Sequence, residues 1–325
     1  MITKEIDSVY AKLKAIPYVQ SFLNDCYNRL FFEESERLSF QNADRFIYYL
    51  EHGEIYLKEA QKVPVHIQPV LLFYGLTQLI KACLLTRRPE YPENTKILSH
   101  GVSARKRKKQ DYSFLHDEVK VQQHGLFPYF SKHLFHTESF PVDKFTMEML
   151  LRRVPEMNVL FKDRQSGSSQ IKIGHVHKDT FLIPTNVLNT LHITEQRFKR
   201  KMSIFVPEFE SVAYDAEFMR VQLEQPLFPF LNDFLYLNLE DEHYYLMRNR
   251  HLFFPLHEIM VHYLILYNLS MICRYETEWW GDLLHTHGSE DYSYIHYFLE
   301  ITQRKVSVMI GFYLYHQIEK NRAFD

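Results

Sequence analysis

The stretch "HIQPVLLFYGLTQLIKACLL", residues 66–85, is apolar on nearly every face. A helix without a polar side belongs inside a protein or a bilayer, so this segment must be covered by something else. Just upstream, "NADRFIYYLEHGEIYLKEAQ" (42–61) places Phe46, Tyr49 and Leu50 at three-to-four spacing, the pattern of an amphipathic helix. Far along the chain, "PLHEIMVHYLILYNLSMICRY" (255–275) and "SYIHYFLEITQRKVSVMIGFYLYHQIEK" (293–320) are again long and periodic. Pro255 suits a first helical position, where a missing N–H costs nothing. Two terminal blocks that are each too apolar to stand in water must bury one another, which predicts a helical bundle built from both ends of the chain.

Between these blocks the texture changes. Pro89 and Pro92 in "TRRPEYPEN" end the first helical block. The short runs "DEVKVQ" (117–122), "QIKIGHVHKDTFLIP" (170–184) and "AEFMRVQL" (216–223) then alternate like strands, around one helical stretch "TMEMLLRRVPEM" (146–157). The expected fold is α+β: residues 1–92 and 251–325 form the bundle, and 93–250 is an inserted mixed α/β region.

Composition narrows the function classes. With 46% hydrophobic and 15% aromatic residues in 325, the chain is a packed protein rather than a disordered one. The 38 Lys plus Arg against 40 Asp plus Glu give a formal charge of -2, so no global field draws it to nucleic acid or anionic lipid. Cys26, Cys83 and Cys273 are scattered and odd in number, which fits reduced thiols. "MITKEIDSVYAKLK" lacks the apolar run of a signal peptide. "LILYNLSMIC" (264–273) is flanked too closely by His262, Arg274 and Glu276 to span a bilayer. The expectation is a cytoplasmic protein without a membrane partner, its oligomeric state open and a homodimer among the options.

Any polyanion site must therefore be local, and "HGVSARKRKKQDYSFLHDEVKVQQHGLF" (100–127) offers one. Arg105, Lys106, Arg107, Lys108 and Lys109 are consecutive cations that repel one another and need solvent or phosphate. Tyr112 and Phe114 follow closely, so bases could stack where phosphates are neutralised. A solvated loop explains the same residues. Trp279 and Trp280 in "WWGDLL" (279–284) are the chain's two tryptophans, and read as bundle core or as partner anchors.

Metal readings are weaker. In "HEIMVH" the two histidines, His257 and His262, stand five apart rather than the four a helical zinc pair needs. "HVH" (175–177) and "HTH" (285–287) lack a third ligand in sequence, and "HDEVK" places Glu118 and Lys120 at the spacing of a magnesium nuclease but leaves Asp111 as the only nearby upstream acid. No metal is expected. Nor is there a phosphate-binding glycine loop, a nucleophile elbow or a kinase signature.

Taken together, "NADRFIYYLEHG", "LLFYGLTQLIKACLL", "HGVSARKRKKQDYSFLHDEVKVQQHGLF" and "RYETEWWGDLL" resemble the YaaC-like family of Firmicutes, across most of the chain. The helical ends also resemble HEPN-type bundles, which include RNA-cleaving toxins and inert binding modules. The first resemblance implies a setting beside IMP dehydrogenase, hence a non-catalytic regulator that binds a purine nucleotide or that enzyme. The second implies an alternative, a metal-independent RNase or RNA-binding protein. It would use an arginine followed at short distance by a histidine, and "RHLFFPLH" supplies Arg250 and His257. A guanidinium clamps phosphate and an imidazole moves protons near neutral pH.

Overall fold

The computed structural model describes residues 2–104, 112–162, 167–215 and 217–322. They divide into two compact units: one combines the chain up to Met147 with the chain from His262 onward, the other is Glu148–Val261.

The first unit opens with α1 (Ile2–Lys12), α2 (Ile16–Arg29), α3 (Ser35–Ala60) and α4 (Gln68–Leu85). In α3 the buried Asn42, Phe46, Leu50, Gly53 and Leu57 recur every three or four residues, so one face is apolar and packs on α4. Gly53 and Gly75 let these helices approach: a Cβ on Gly53 would lie 2.5 Å from Leu79 Cδ2, and one on Gly75 would lie 2.9 Å from Leu57 Cδ2. By length and composition α4 is apolar enough to cross a membrane, but 72% of it is buried within the protein.

Three short strands follow, β1 (Val102–Ala104), β2 (Glu118–Val121) and, after α5 (Leu126–Phe135), β3 (Lys144–Thr146). They form an antiparallel sheet in the order β1-β2-β3, with Val102 opposite Val121 and Val119 opposite Phe145.

The second unit opens within α6 (Met147–Leu151) and continues through α7 (Asn158–Phe161), β4 (Gln170–His175), β5 (Thr180–Pro184), α8 (Val187–Leu191), α9 (Glu195–Ser203), β6 (Val212–Tyr214), β7 (Phe218–Gln222), β8 (Leu235–Asn238) and β9 (His243–Met247). Its strands form two antiparallel sheets, β4-β9-β8 and β5-β7-β6. Phe181, Phe198, Phe209, Phe234 and Phe253 fill its core with ring contacts. Arg153 is fully buried among them: its guanidinium donates to Tyr236 Oη, to Leu252 O at 2.8 Å and to Phe254 O at 3.3 Å, and its cation lies 4.2 Å from the Phe254 ring centre.

The chain ends with α10 (Glu258–Tyr275), α11 (Thr277–Thr286) and α12 (Asp291–Arg322). From His262 onward they complete the first unit, and α12 packs on α1, α2, α3 and α4. Tyr10 Oη donates to Ser307 O at 2.9 Å, Arg29 Nη2 to Gln317 Oε1 at 2.8 Å, and a Cβ on Gly311 would lie 2.3 Å from Ile6 Cγ2. The fold is α+β with helices predominating, and both chain ends share one helical bundle.

One expectation is revised. Pro255 lies ahead of α10, which begins at Glu258, and the imidazole of His257 accepts from Ile259 N–H at its start. The first compact unit takes in residues 93–147 as well as the helices. Residues 93–147 are tied to the helices: Tyr263 Oη donates to His100 O at 2.9 Å, and the Phe127 and Phe130 rings pack on Tyr263 with centres 5.7 and 5.2 Å apart.

Candidate functional site

Arg105, Lys106, Arg107, Lys108 and Lys109 lie outside the described residues, but both flanks of this basic run are fixed. Upstream, β1 is paired along its length with β2. Downstream, Tyr112 Oη donates to Asp117 Oδ2 at 2.8 Å, and the Tyr112 ring meets Trp279 edge-on with centres 4.7 Å apart. Asp117 Oδ2 also accepts from Asn268 Nδ2 at 3.1 Å, and Phe114 N–H donates to Asp291 Oδ2 at 2.9 Å. Burial first, and the Asp117 carboxylate next, push the Tyr112 phenol far above its ordinary value, so it stays a donor. The described residues on either side of 105–111 are thus an anchored strand and a buried polar knot with residues of α10, α11 and α12.

Tyr112 and Trp279 are brought together, although they stand far apart in sequence. Trp280 is not part of that pair. It is 2% exposed and donates from Nε1 to His66 O at 3.0 Å, so it is a core residue and cannot anchor a partner. Trp279 keeps a partly exposed surface.

Beside β1 lies a cleft of about 860 Å³, lined by His100, Gly101, Lys120, Gln122, His124 and Asp143 among others. Gly101 and Gly125 make it by touching backbone to backbone: both have positive φ, and a Cβ on Gly125 would lie 2.4 Å from Gly101 Cα. His100 sits among Phe73, Tyr74 and Tyr267, with ring centres 5.0, 6.2 and 5.7 Å away. Burial, then the charges of Arg274 and Lys81, hold its imidazole below the usual range. Lys120 reaches Asp143 at 3.5 Å across a largely exposed gap, an ion pair worth little by itself. Of the four His-Gly pairs in the chain, the two at this cleft, His100-Gly101 and His124-Gly125, are not distinguished by sequence. The repeated "HG" was the available signal, and only the positive φ angles give it meaning.

Arg250 and His257 are separated by exposure. Arg250 is exposed in a short 3-10 turn whose Asn249 side chain accepts from His251 N–H at 3.0 Å. His257 is 2% exposed, with Nε2 2.7 Å from Phe230 O and Nδ1 accepting from Ile259 N–H at 3.1 Å. Burial lowers its pKa to about 4. A general base must reach its substrate, and this imidazole faces the interior, so the catalytic role expected of His257 does not fit. The intervening Phe253 and Phe254 are buried as well, which drives the histidine inward.

Among the described residues no group of three or more His, Cys, Asp or Glu is arranged to hold a metal ion. The His175 and His177 rings instead share one carboxylate, each Nε2 standing 3.8 Å from Glu242 Oε2.

A family model described as YaaC-like Protein matches residues 11–314. No curated protein and no solved structure matches the chain.

Proposed function

The chain belongs to the YaaC-like family, and from that premise we propose that it is a non-catalytic cytoplasmic binding protein that takes up the phosphates of a purine nucleotide and modulates IMP dehydrogenase. Arg105, Lys106, Arg107, Lys108 and Lys109 meet phosphates or an acidic partner surface in this reading, and Trp279 supplies an apolar contact. The observation that supports it is the anchoring of the described residues on both sides of the basic run. Cations on a tail with free ends would lose entropy on binding, whereas cations between neighbours tied at β1 and at the Tyr112–Asp117–Asn268 knot have less to lose. The cleft lined by His100, Lys120 and His124 borders the same strand and offers further donors.

The alternative, RNA cleavage by Arg250 and His257, is weakened by the burial of His257. The test is a titration of the full chain with purine nucleotides by fluorescence anisotropy, at two salt concentrations. The Arg107→Glu/Lys108→Glu double variant should bind at least tenfold more weakly and lose much of the salt dependence. Unchanged binding by that variant would remove the basic run from the account. EDTA-resistant RNA cleavage that is lost in His257→Ala would replace regulation by catalysis.

A further inference from the structure

A second cleft, of about 530 Å³, lies wholly within the second unit. Its cations come from the turn after β9: Arg248 and Arg250 line it together with His251, and His192 joins them from the end of α8. Ser168, Ser169 and Thr190 contribute hydroxyl groups. None of the described residues lining it is acidic. With two guanidinium groups and no carboxylate among its described lining residues, it is a local concentration of positive charge on a protein whose formal charge is -2.

The wall is built, not loose. Arg152, itself buried, is held by Glu148 through Nε and Nη2 at 2.9 Å each, and donates from Nη1 to Gly167 O at 2.9 Å and to Ser169 Oγ at 3.0 Å. Ser169 Oγ therefore already accepts a hydrogen bond, which leaves its own hydrogen to donate. Arg248 N–H donates to Ser169 O at 2.9 Å, extending the β4–β9 pairing into the cleft and fixing the base of that side chain. The Asn249 cap does the same for the turn that carries Arg250.

We propose that this cleft binds a small phosphorylated molecule carrying two or more phosphoryl groups. The guanidinium fork suits phosphate oxygens in pairs, and two such groups exceed what one carboxylate could use. The volume falls within the range of small-molecule sites, which is far more than a single oxyanion fills. Among the described residues that line the cleft there is no Phe, Tyr or Trp, and the only rings are the imidazoles of His192 and His251, so phosphates rather than a stacked base carry the recognition, and a single-strand nucleic acid lacks its usual platform of large aromatic rings. The site shares no residue with the basic run, and the proposal stands or falls apart from it.

The experiment is calorimetric titration of the full chain with inorganic pyrophosphate, in the Arg107→Glu/Lys108→Glu background so that the basic run cannot supply the signal. Saturable binding is expected, weakened at least tenfold in the added Arg248→Ala/Arg250→Ala double substitution and abolished by His192→Glu, which puts a carboxylate into the cleft. Both positions are exposed, and unaltered thermal unfolding checks that the variants fold. Absence of saturable binding, or equal binding by both arginine-bearing and arginine-free proteins, overturns the site. A single-stranded RNA that binds more tightly than pyrophosphate, through the same arginines, overturns the assignment to a small molecule.

Discussion

At the scale of single residues, His257 shows how the interior assigns a side chain. Nδ1 accepts from Ile259 N–H, so the proton of the neutral ring sits on Nε2 and points to Phe230 O. Three residues beyond Phe230, Asp233 is also buried, and burial raises its pKa to about 7. The two groups pull stability in opposite directions. Between pH 4 and 6.5 the unfolded chain binds a proton at His257 that the folded one refuses, so this contribution is complete above pH 6.5 and is lost as pH falls toward 4. Between pH 3.8 and 7 the folded chain keeps a proton on Asp233 that the unfolded one releases, so that contribution is lost as pH rises toward 7. At about 1.4 kcal/mol per decade of proton affinity, each contribution is on the order of 3–5 kcal/mol, the Asp233 one the larger, and they largely offset each other. Relative to wild type, His257→Gln should therefore lose stability progressively as pH rises from 4 to 7, and Asp233→Asn should gain it. Urea midpoints across that range check this; curves parallel to wild type for both variants would contradict it. The sequence signal for the burial of His257 was the pair of neighbouring apolar rings, Phe253 and Phe254, which weighs against the catalytic role expected of it. The carbonyl that satisfies it did not show, because Phe230 is 27 positions away.

Among the elements, periodicity revealed those with one wet face and missed those without. β5 and β7 alternate buried and exposed positions, and both stand where the sequence places strands. β8, "LYLN", is buried at every position, so it carries no alternation to read. The helices α3 and α4 were legible from spacing and apolarity, but their closeness was not: Gly53 reads as a weak point in a helix until Leu79 is seen against it. Gly53→Ala sets a helix-propensity gain of about 1 kcal/mol against an overpacking cost of about 1–3 kcal/mol. The cost should win, lowering the urea midpoint without changing the denaturant slope. A raised midpoint would mean that the α3–α4 contact is slacker than described.

At the scale of the whole molecule, the apolar ends of the chain foretold a shared bundle, and α12 packing on the N-terminal helices is that bundle. The compact units were less legible. A sequence boundary follows local texture, whereas Asp117 with Asn268 and Phe114 with Asp291 join residues more than 150 positions apart. The same long-range ties anchor the described residues that follow the basic run, on a nearly neutral protein. The most direct test is light scattering of the purified protein mixed with purified IMP dehydrogenase, with and without adenine and guanine nucleotides, while the dehydrogenase rate is followed. A nucleotide-dependent complex with an altered rate, weakened by Arg107→Glu/Lys108→Glu, is the predicted result. Two proteins that scatter as independent species under every nucleotide condition, with an unchanged rate, would contradict it.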